Sequence, residues 1–300
     1  MTVVPEGRPA GGVAGMLEAP RFEVVPLTGV DAEVDHLPPG ATVTVTCSPR
    51  RGVDTTIALA ERLAHRGFDA VPHVAARMLR SRAHLEEVTG RLIAAGVRDV
   101  FVIGGDPPEP VGPYEAAGQV LETLGELGRP FPAVGIAGYP ERHPFIAAEE
   151  LDRALLDKQP LASYLVTQIC FDPAATFRWL ARTRDLGVGL PVHLGLPGAV
   201  TRRKLLEIAL RIGVGDSIRY LTKHGSLVAR LVRRGSYRPD AFLAGLSPSL
   251  GRGGRGIAGF HINTFNQVRS TERWRRRTID AYRLAGSAGP ANLPEGGEGA

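Results

Sequence analysis

Cysteine is nearly absent from this chain, with only Cys47 and Cys170 among 300 residues. That excludes the dense disulfide framework of a small secreted scaffold and points to a reduced, cytoplasmic setting. Aromatic residues make up 6% of the sequence. The densest basic run, residues 273–277, holds Trp274 as its one ring, short of the interleaved aromatics of a single-strand binder. The run reads as a solvated helix face, and nucleic acid is not expected as a partner. No apolar run is long enough to span a bilayer, and no basic stretch followed by an apolar core opens the chain, so neither a membrane span nor a leader is expected. A strong excess of one charge is also missing: 36 Lys plus Arg face 31 Asp plus Glu. So mild a basic balance suits an anionic small molecule as easily as a nucleic acid.

What is present is alternation. Short β-branched or aromatic runs at 42–46, 101–103, 133–137 and 165–169 have the composition of strands buried on both faces. The segments between them have a helical period. Over 54–66, Ile57, Ala60, Leu63 and Ala64 share one face, with Asp54 as the expected cap and Gly67 as the terminator. Leu85, Val88 and Leu92 repeat the stripe before Gly96, and Asp172 followed by Pro173 is an N-cap with proline at the first helical position. Gly187 and Gly213 are expected to close two later helices.

Strand signals near 21, 42, 69, 99, 133, 164, 190 and 257 number eight. Eight strand–helix units predict a single-domain (βα)8 TIM barrel over 19–285, with a doubly wound open sheet as the competing architecture. The interval 216–256 breaks the repeat. A helical run at 218–232 and a short helix at 239–246 make it a helical elaboration before the last strand, and the glycine- and arginine-rich 251–256 reads as a turn. Residues 1–18 and 286–300, rich in Gly, Ala, Pro and Glu, read as mobile ends.

Six of the apolar runs end in a polar or ionisable residue: Glu23, Thr46, His73, Asp106, Tyr139 and Gln168. In a parallel barrel the carboxyl ends of the strands form one open face, so these residues are expected to converge on one pocket. The histidines and aspartates show no recognisable metal-ligand spacing, and no metal is expected.

Five motifs occur in order: FEVVP at 22–26, GGDPP at 104–108, AGYPERHP at 137–144, VTQICFD at 166–172 and FHINTFN at 260–266. Together they resemble the methylenetetrahydrofolate reductase family over roughly residues 20–285. The resemblance implies a flavoprotein barrel of one-carbon metabolism, serving methionine biosynthesis or methyl-group oxidation. Such a barrel reduces 5,10-methylenetetrahydrofolate to 5-methyltetrahydrofolate with hydride from NADH or NADPH, passed through FAD.

By position in these motifs, Glu23 matches the family's general acid for opening the imidazolidine ring. Its apolar neighbours Phe22, Val24 and Val25 are expected to raise its pKa by burial. Asp106 matches the aspartate that stabilises the iminium cation and lies by the flavin. Gln168 matches the glutamine that binds folate and nicotinamide in turn, and Thr264 and Asn266 match a motif at the folate end, where they could equally close the barrel. Thr46, His73, Gly105, Tyr139 and His143 match positions around the flavin, and Lys158 is what remains of a basic segment for the FAD phosphates.

Gly104 stands where the family commonly has arginine, while Arg50 and Arg51 add positive charge nearby. Some members of the family are thought to pass hydride directly from NADH to folate, which makes a flavin-free reductase the first alternative. A noncatalytic folate-binding barrel is the second. The sequence leaves self-association into a homo-oligomer open. Feedback through the regulatory domain of longer eukaryotic relatives is not expected.

Overall fold

The protein, described by a computed structural model over residues 12–143, 145–201, 236–250 and 256–285, is a (βα)8 barrel. Its strands are β1 (Arg21–Val24), β2 (Thr42–Val45), β3 (Asp69–Ala75), β4 (Asp99–Ile103), β5 (Ala133–Gly138), β6 (Tyr164–Thr167), β7 (Val192–Pro197) and β10 (Ile257–Asn263). They close in the order β1-β10-β7-β6-β5-β4-β3-β2, and every barrel pair is parallel. Between β7 and β10 lies the expected elaboration. Its described parts are the antiparallel pair β8 (Val200–Thr201) and β9 (Ser236–Tyr237) and a helix at Asp240–Leu250. The expected helix at 218–232, the stop at Gly213, most of the turn at 251–256 and the tail 286–300 lie outside the described residues.

The helices follow the expected stripes. α3 (Gly52–His65) buries Ile57, Ala60 and Leu63 against the barrel, α4 (Arg82–Ala94) buries Leu85, Val88 and Leu92, and α7 (Pro173–Asp185) begins at Asp172, whose carboxylate accepts from the Ala174 N–H at 2.8 Å. The start of α3 differs from expectation. Arg51 is its cap, and Asp54 sits inside the first turn, where its carboxylate takes Arg80 at 2.7 Å and His84 at 3.1 Å.

A second correction concerns the expected mobile end 1–18, of which residues 1–11 lie outside the described residues. Val13–Glu18 form α1, with Val13, Met16 and Leu17 buried. The first helix is fastened by the last, Val268–Ala285, whose Arg275 donates to the Leu17 carbonyl at 2.7 Å and the Glu18 carbonyl at 3.3 Å. A cation on the terminal carbonyls of a short helix satisfies acceptors that have no intrahelical partner. The basic run at 273–277 is therefore not simply a solvated face: Arg275 and Trp274 are buried, and the Trp274 indole donates to Asp240 at 2.7 Å.

Alternation along the strands separates two cores. In β1, Phe22 and Val24 join the large apolar layer beneath the helices, which leaves Arg21 and Glu23 facing into the barrel. Val71, Phe101, Tyr164 and Val166 form a smaller cluster inside the barrel. Gly135 is required there, since a Cβ would lie 2.4 Å from the Tyr164 ring. Below this plug, Arg21 donates to Asp99 at 2.7 Å and to the Tyr164 hydroxyl at 2.9 Å, and that hydroxyl donates to Asp99 at 2.9 Å. Among the described residues, no helix is long and apolar enough to cross a membrane.

Candidate active site

Two residues above Arg21 on the inward face of β1, Glu23 reaches the carboxyl-end mouth of the barrel. Its Oε2 lies 2.8 Å from Nε2 of His261 on β10 and 3.7 Å from Nε2 of His73 on β3, and Oε1 accepts from the Asn263 amide at 2.5 Å. Both histidines are buried, His73 at 5% exposure and His261 at 2%. Burial alone would raise the Glu23 pKa. The His261 hydrogen bond and charge, the nearby His73 and the Asn263 amide together hold it below the ordinary carboxylate value. This corrects the expectation of a raised pKa: Phe22 and Val24 face the other side of the strand, so Glu23 meets imidazoles instead of apolar side chains. His73 is pushed down to about 4 by burial, and its Nε2 has no hydrogen-bond partner.

The donor atoms of Glu23, His73 and His261 all lie within 4.8 Å of one another, a convergence the sequence spacing did not reveal. The 2.8 Å Oε2 to Nε2 separation is a hydrogen bond. It is shorter than the ~3.3 Å between two ligands of a tetrahedral zinc held at about 2.0 Å each.

Thr264 and Asn266 serve the seam between β1 and β10. The Thr264 hydroxyl donates to the Glu23 carbonyl at 2.7 Å, and the Asn266 side chain accepts from the Val25 N–H at 2.8 Å and donates to its carbonyl at 2.9 Å. These bonds fix the backbone that carries Glu23. Thr46 likewise ties β2 to β1, through its N–H and the Val24 carbonyl at 2.9 Å. Gln168 lies exposed at the end of β6, with Oε1 accepting from the Ile169 N–H at 2.9 Å.

On the rim, Gly105 at φ 95° turns the chain after β4 and leaves Asp106 exposed. The Asp106 charge acts on two neighbours. It adds to the rise that burial imposes on the Tyr139 phenol, and it opposes the lowering that burial imposes on His143. Tyr139 and His143 meet edge to face at 5.1 Å. Sequence reasoning passed over Glu141 between them, whose carboxylate accepts from the N–H groups of Phe171 at 2.7 Å and Asp172 at 3.0 Å. It pins the Tyr139 loop to the Gln168 loop.

Tyr139 also lines a cavity of about 440 Å³ between α6 (Ala148–Lys158) and α7, together with Arg142, Lys158, Arg178 and Trp179. Asp152 pairs with Arg182 and Asp172 with Arg178, whereas Lys158 has no ion-pair partner among the described residues. Burial lowers the pKa of its ammonium, as expected of a desolvated cation waiting for an anion. Lys158, Arg142 and the Tyr139 ring fit the phosphate-bearing part of a dinucleotide, FAD or NAD(P)H alike. The structure thus gathers Glu23 and His73 inside the mouth, Asp106, Tyr139 and His143 on the rim, and Lys158 outside the barrel wall.

A family model described as methylenetetrahydrofolate reductase matches residues 31–206. That span contains Thr46, His73, Asp106, Tyr139, Lys158 and Gln168 but neither Glu23 nor the β10 motif. Methylenetetrahydrofolate reductase 2 of Saccharomyces cerevisiae is 28% identical over 127 residues, which cover 38% of this chain and 21% of the yeast protein. The match thus spans about a fifth of that relative's length. A GH18 chitinase from Pseudoalteromonas aurantia superposes with a TM-score of 0.52 at 13% identity, over 90% of this chain and 100% of that one, a likeness of fold alone. With the family model spanning more than half of its residues, the chain belongs to the methylenetetrahydrofolate reductase family.

Proposed function

We propose that this barrel reduces 5,10-methylenetetrahydrofolate to 5-methyltetrahydrofolate with hydride from NAD(P)H. The observation that carries the reading is a carboxyl group, Glu23, fixed at the barrel mouth by His261 and Asn263 in a chain of this family. In the reaction, the bond between the bridging methylene and N10 breaks with its electron pair left on N10. Glu23 supplies the proton that N10 takes up. The methylene remains on N5 as an iminium cation, to which hydride adds to give the methyl group. Asp106, an exposed carboxylate on the rim, stabilises that cation by charge, and Gln168 offers an amide to the folate and nicotinamide ring edges.

FAD, seated with its phosphates toward Lys158 and its ring system toward Tyr139 and His143, would supply the hydride relay. A second reading is direct transfer from NADH held in the same place, since the cations of the cavity would meet the diphosphate of either nucleotide alike. Asp152 and Asp172 occupy two of its arginines, which leaves Lys158 and Arg142 to meet a diphosphate. Direct transfer needs only that the two rings be aligned, because the opened iminium is already electrophilic.

The test is the absorption spectrum of the purified protein with heat-released cofactor identified, followed by NADH and NADPH oxidation on 5,10-methylenetetrahydrofolate. FAD near one per chain with turnover supports the flavin route, and turnover by a colourless protein supports direct transfer. Folate binding without turnover by either nucleotide would leave a noncatalytic barrel.

A further inference from the structure

The rim segment that carries Asp106 is poorly equipped to hold its own shape. Between Gly104 and Glu115 it contains Pro107, Pro108, Pro110 and Pro113, and each proline removes a backbone N–H that could have satisfied one of the segment's carbonyls. We propose that Arg77 is the positioning residue that holds Asp106 on the rim, where the carboxylate meets the iminium cation formed when the imidazolidine ring opens. The proposal rests on the reductase reading and adds to it a residue that acts through Asp106.

Arg77 stands in the helical turn Ala76–Met78, directly after β3. Its side chain donates three times into the segment: Nε to the Pro107 carbonyl at 2.7 Å, Nη1 to the Glu115 carbonyl at 3.1 Å, and Nη2 to the Pro108 carbonyl. Its backbone adds two bonds, from its own N–H to the Gly104 carbonyl at 2.9 Å and from the Val111 N–H to its own carbonyl at 3.0 Å. Asp106 therefore sits between two points, Gly104 and Pro107, that are bonded to the same residue. Pro107 narrows the choice further, because a residue before proline is pushed toward extended backbone. A planar guanidinium meets several carbonyls in fixed directions, which an ammonium on a flexible stem does not.

A second contact holds the segment farther along. At Gly112 an added Cβ would lie 2.3 Å from the Leu79 carbonyl oxygen and 2.4 Å from that of Arg80, so the segment lies directly on the chain that follows Arg77. The Asp106 side chain is left exposed, and its charge acts on Tyr139 and His143 of the loop after β5. The backbone is thus fastened while the carboxylate faces the space a ligand would enter. Displacing it weakens an interaction with charge that exists only after ring opening, so the loss belongs to kcat and not to KM.

The test is a double-mutant cycle of Arg77→Met and Asp106→Asn, read as NAD(P)H oxidation on 5,10-methylenetetrahydrofolate. Arg77→Met alone should lower kcat by on the order of 100-fold, the cost of about 1 Å of misplacement, while KM for the folate stays within ~3-fold. In the Asp106→Asn background the same change should cost under ~3-fold, since no carboxylate is left to aim. Equal losses in the two backgrounds overturn the proposal, as does a loss confined to KM. Should Arg77→Met fail to fold, Gly112→Ala lifts the segment at its other contact and must show the same dependence on Asp106, with equal losses again overturning the proposal.

Wild-type protein without folate-dependent NAD(P)H oxidation would refute the reductase reading instead. The clamp is then decided by NMR titration of His143, since the Asp106 charge opposes the lowering that burial imposes on that imidazole. Arg77→Met should lower the His143 pKa, in the same direction as Asp106→Asn. Loss of the arginine's own positive charge would act with the opposite sign, and a raised or unmoved value overturns the clamp.

Discussion

Replacing Asp99 by alanine removes the only carboxylate bonded to Arg21 among the described residues. The guanidinium is 14% exposed and the carboxylate 8%, and the arginine's Cζ lies 4.2 Å from the centroid of the Tyr164 ring. Burial alone would lower the Arg21 pKa, but Tyr164 and Asp99 raise it above the ordinary value, so the charge remains when its partner is gone. Breaking a buried pair from one side costs about 3–5 kcal/mol, because the other charge is left desolvated. The Tyr164 hydroxyl, which donates to Asp99 at 2.9 Å, loses its acceptor as well, within that range. At about 2–3 °C per kcal/mol for a domain of this size, the melting temperature should fall by roughly 6–15 °C. Circular dichroism melts and urea titrations measure it. The double variant Arg21→Met with Asp99→Leu should recover most of the loss, since an apolar pair of similar volume avoids the desolvation. A loss below about 1 kcal/mol for Asp99→Ala, or no recovery in the double variant, would refute the reasoning.

Three further outcomes are expected. Glu23→Gln should lower turnover by roughly 10²- to 10⁴-fold while folate binding, followed by equilibrium dialysis, is largely kept; unchanged NADH oxidation would sink the assigned acid role. Lys158→Met, which retains the stem but removes the charge, should weaken dinucleotide binding by about 10- to 100-fold, the worth of one charge-assisted hydrogen bond. Calorimetric titration of the cofactor-stripped protein checks this, and an unaltered dissociation constant would place the phosphates elsewhere. His73 is buried neutral with its pKa depressed from 6.5 to about 4, so the folded state binds fewer protons than the unfolded one. Its contribution is complete above pH 6.5 and is lost as the pH falls toward 4, by on the order of 3 kcal/mol. His73→Gln should flatten that part of the stability profile, and a profile parallel to wild type would show that another group carries the acid sensitivity.

Much of the barrel was legible because strands buried on both faces announce themselves by composition. The eight expected starts fall on or beside the eight observed strands. What escaped was set by distance. Asp54 looked like a cap because the sequence shows a polar residue before an apolar stripe, but Arg80 and His84, far along the chain, claim its carboxylate. The helix Val13–Glu18 has too short an apolar run to declare itself and owes its burial to packing with the final helix. Glu23 was chosen by motif, and its environment was misjudged because residues adjacent in a strand face opposite ways. His261 and Asn263 sat in plain view inside FHINTFN, yet the carboxylate they bind lies 238 and 240 residues away. His261 and Asn263, the odd-numbered residues of that motif within the strand, share the barrel interior, and this was the available signal.

The interior of the barrel is stratified, and the layering bears on the chemistry. At the floor Arg21 and Asp99 are opposite charges in contact, so their sum at a distance is small. Next to them Val71, Phe101, Tyr164 and Val166 form an apolar cluster inside the barrel. Beside the Phe101 ring stand His73 at 4.8 Å and His261 at 6.4 Å, with Glu23 between their imidazoles, where a low local dielectric strengthens each contact. A floor with one unmatched charge would act on Glu23 through the same poorly screened medium and bias its proton. Matching Arg21 to Asp99 therefore does more than stabilise the fold: it leaves the Glu23 carboxyl to its own hydrogen bonds, His261 2.8 Å away and the Asn263 amide.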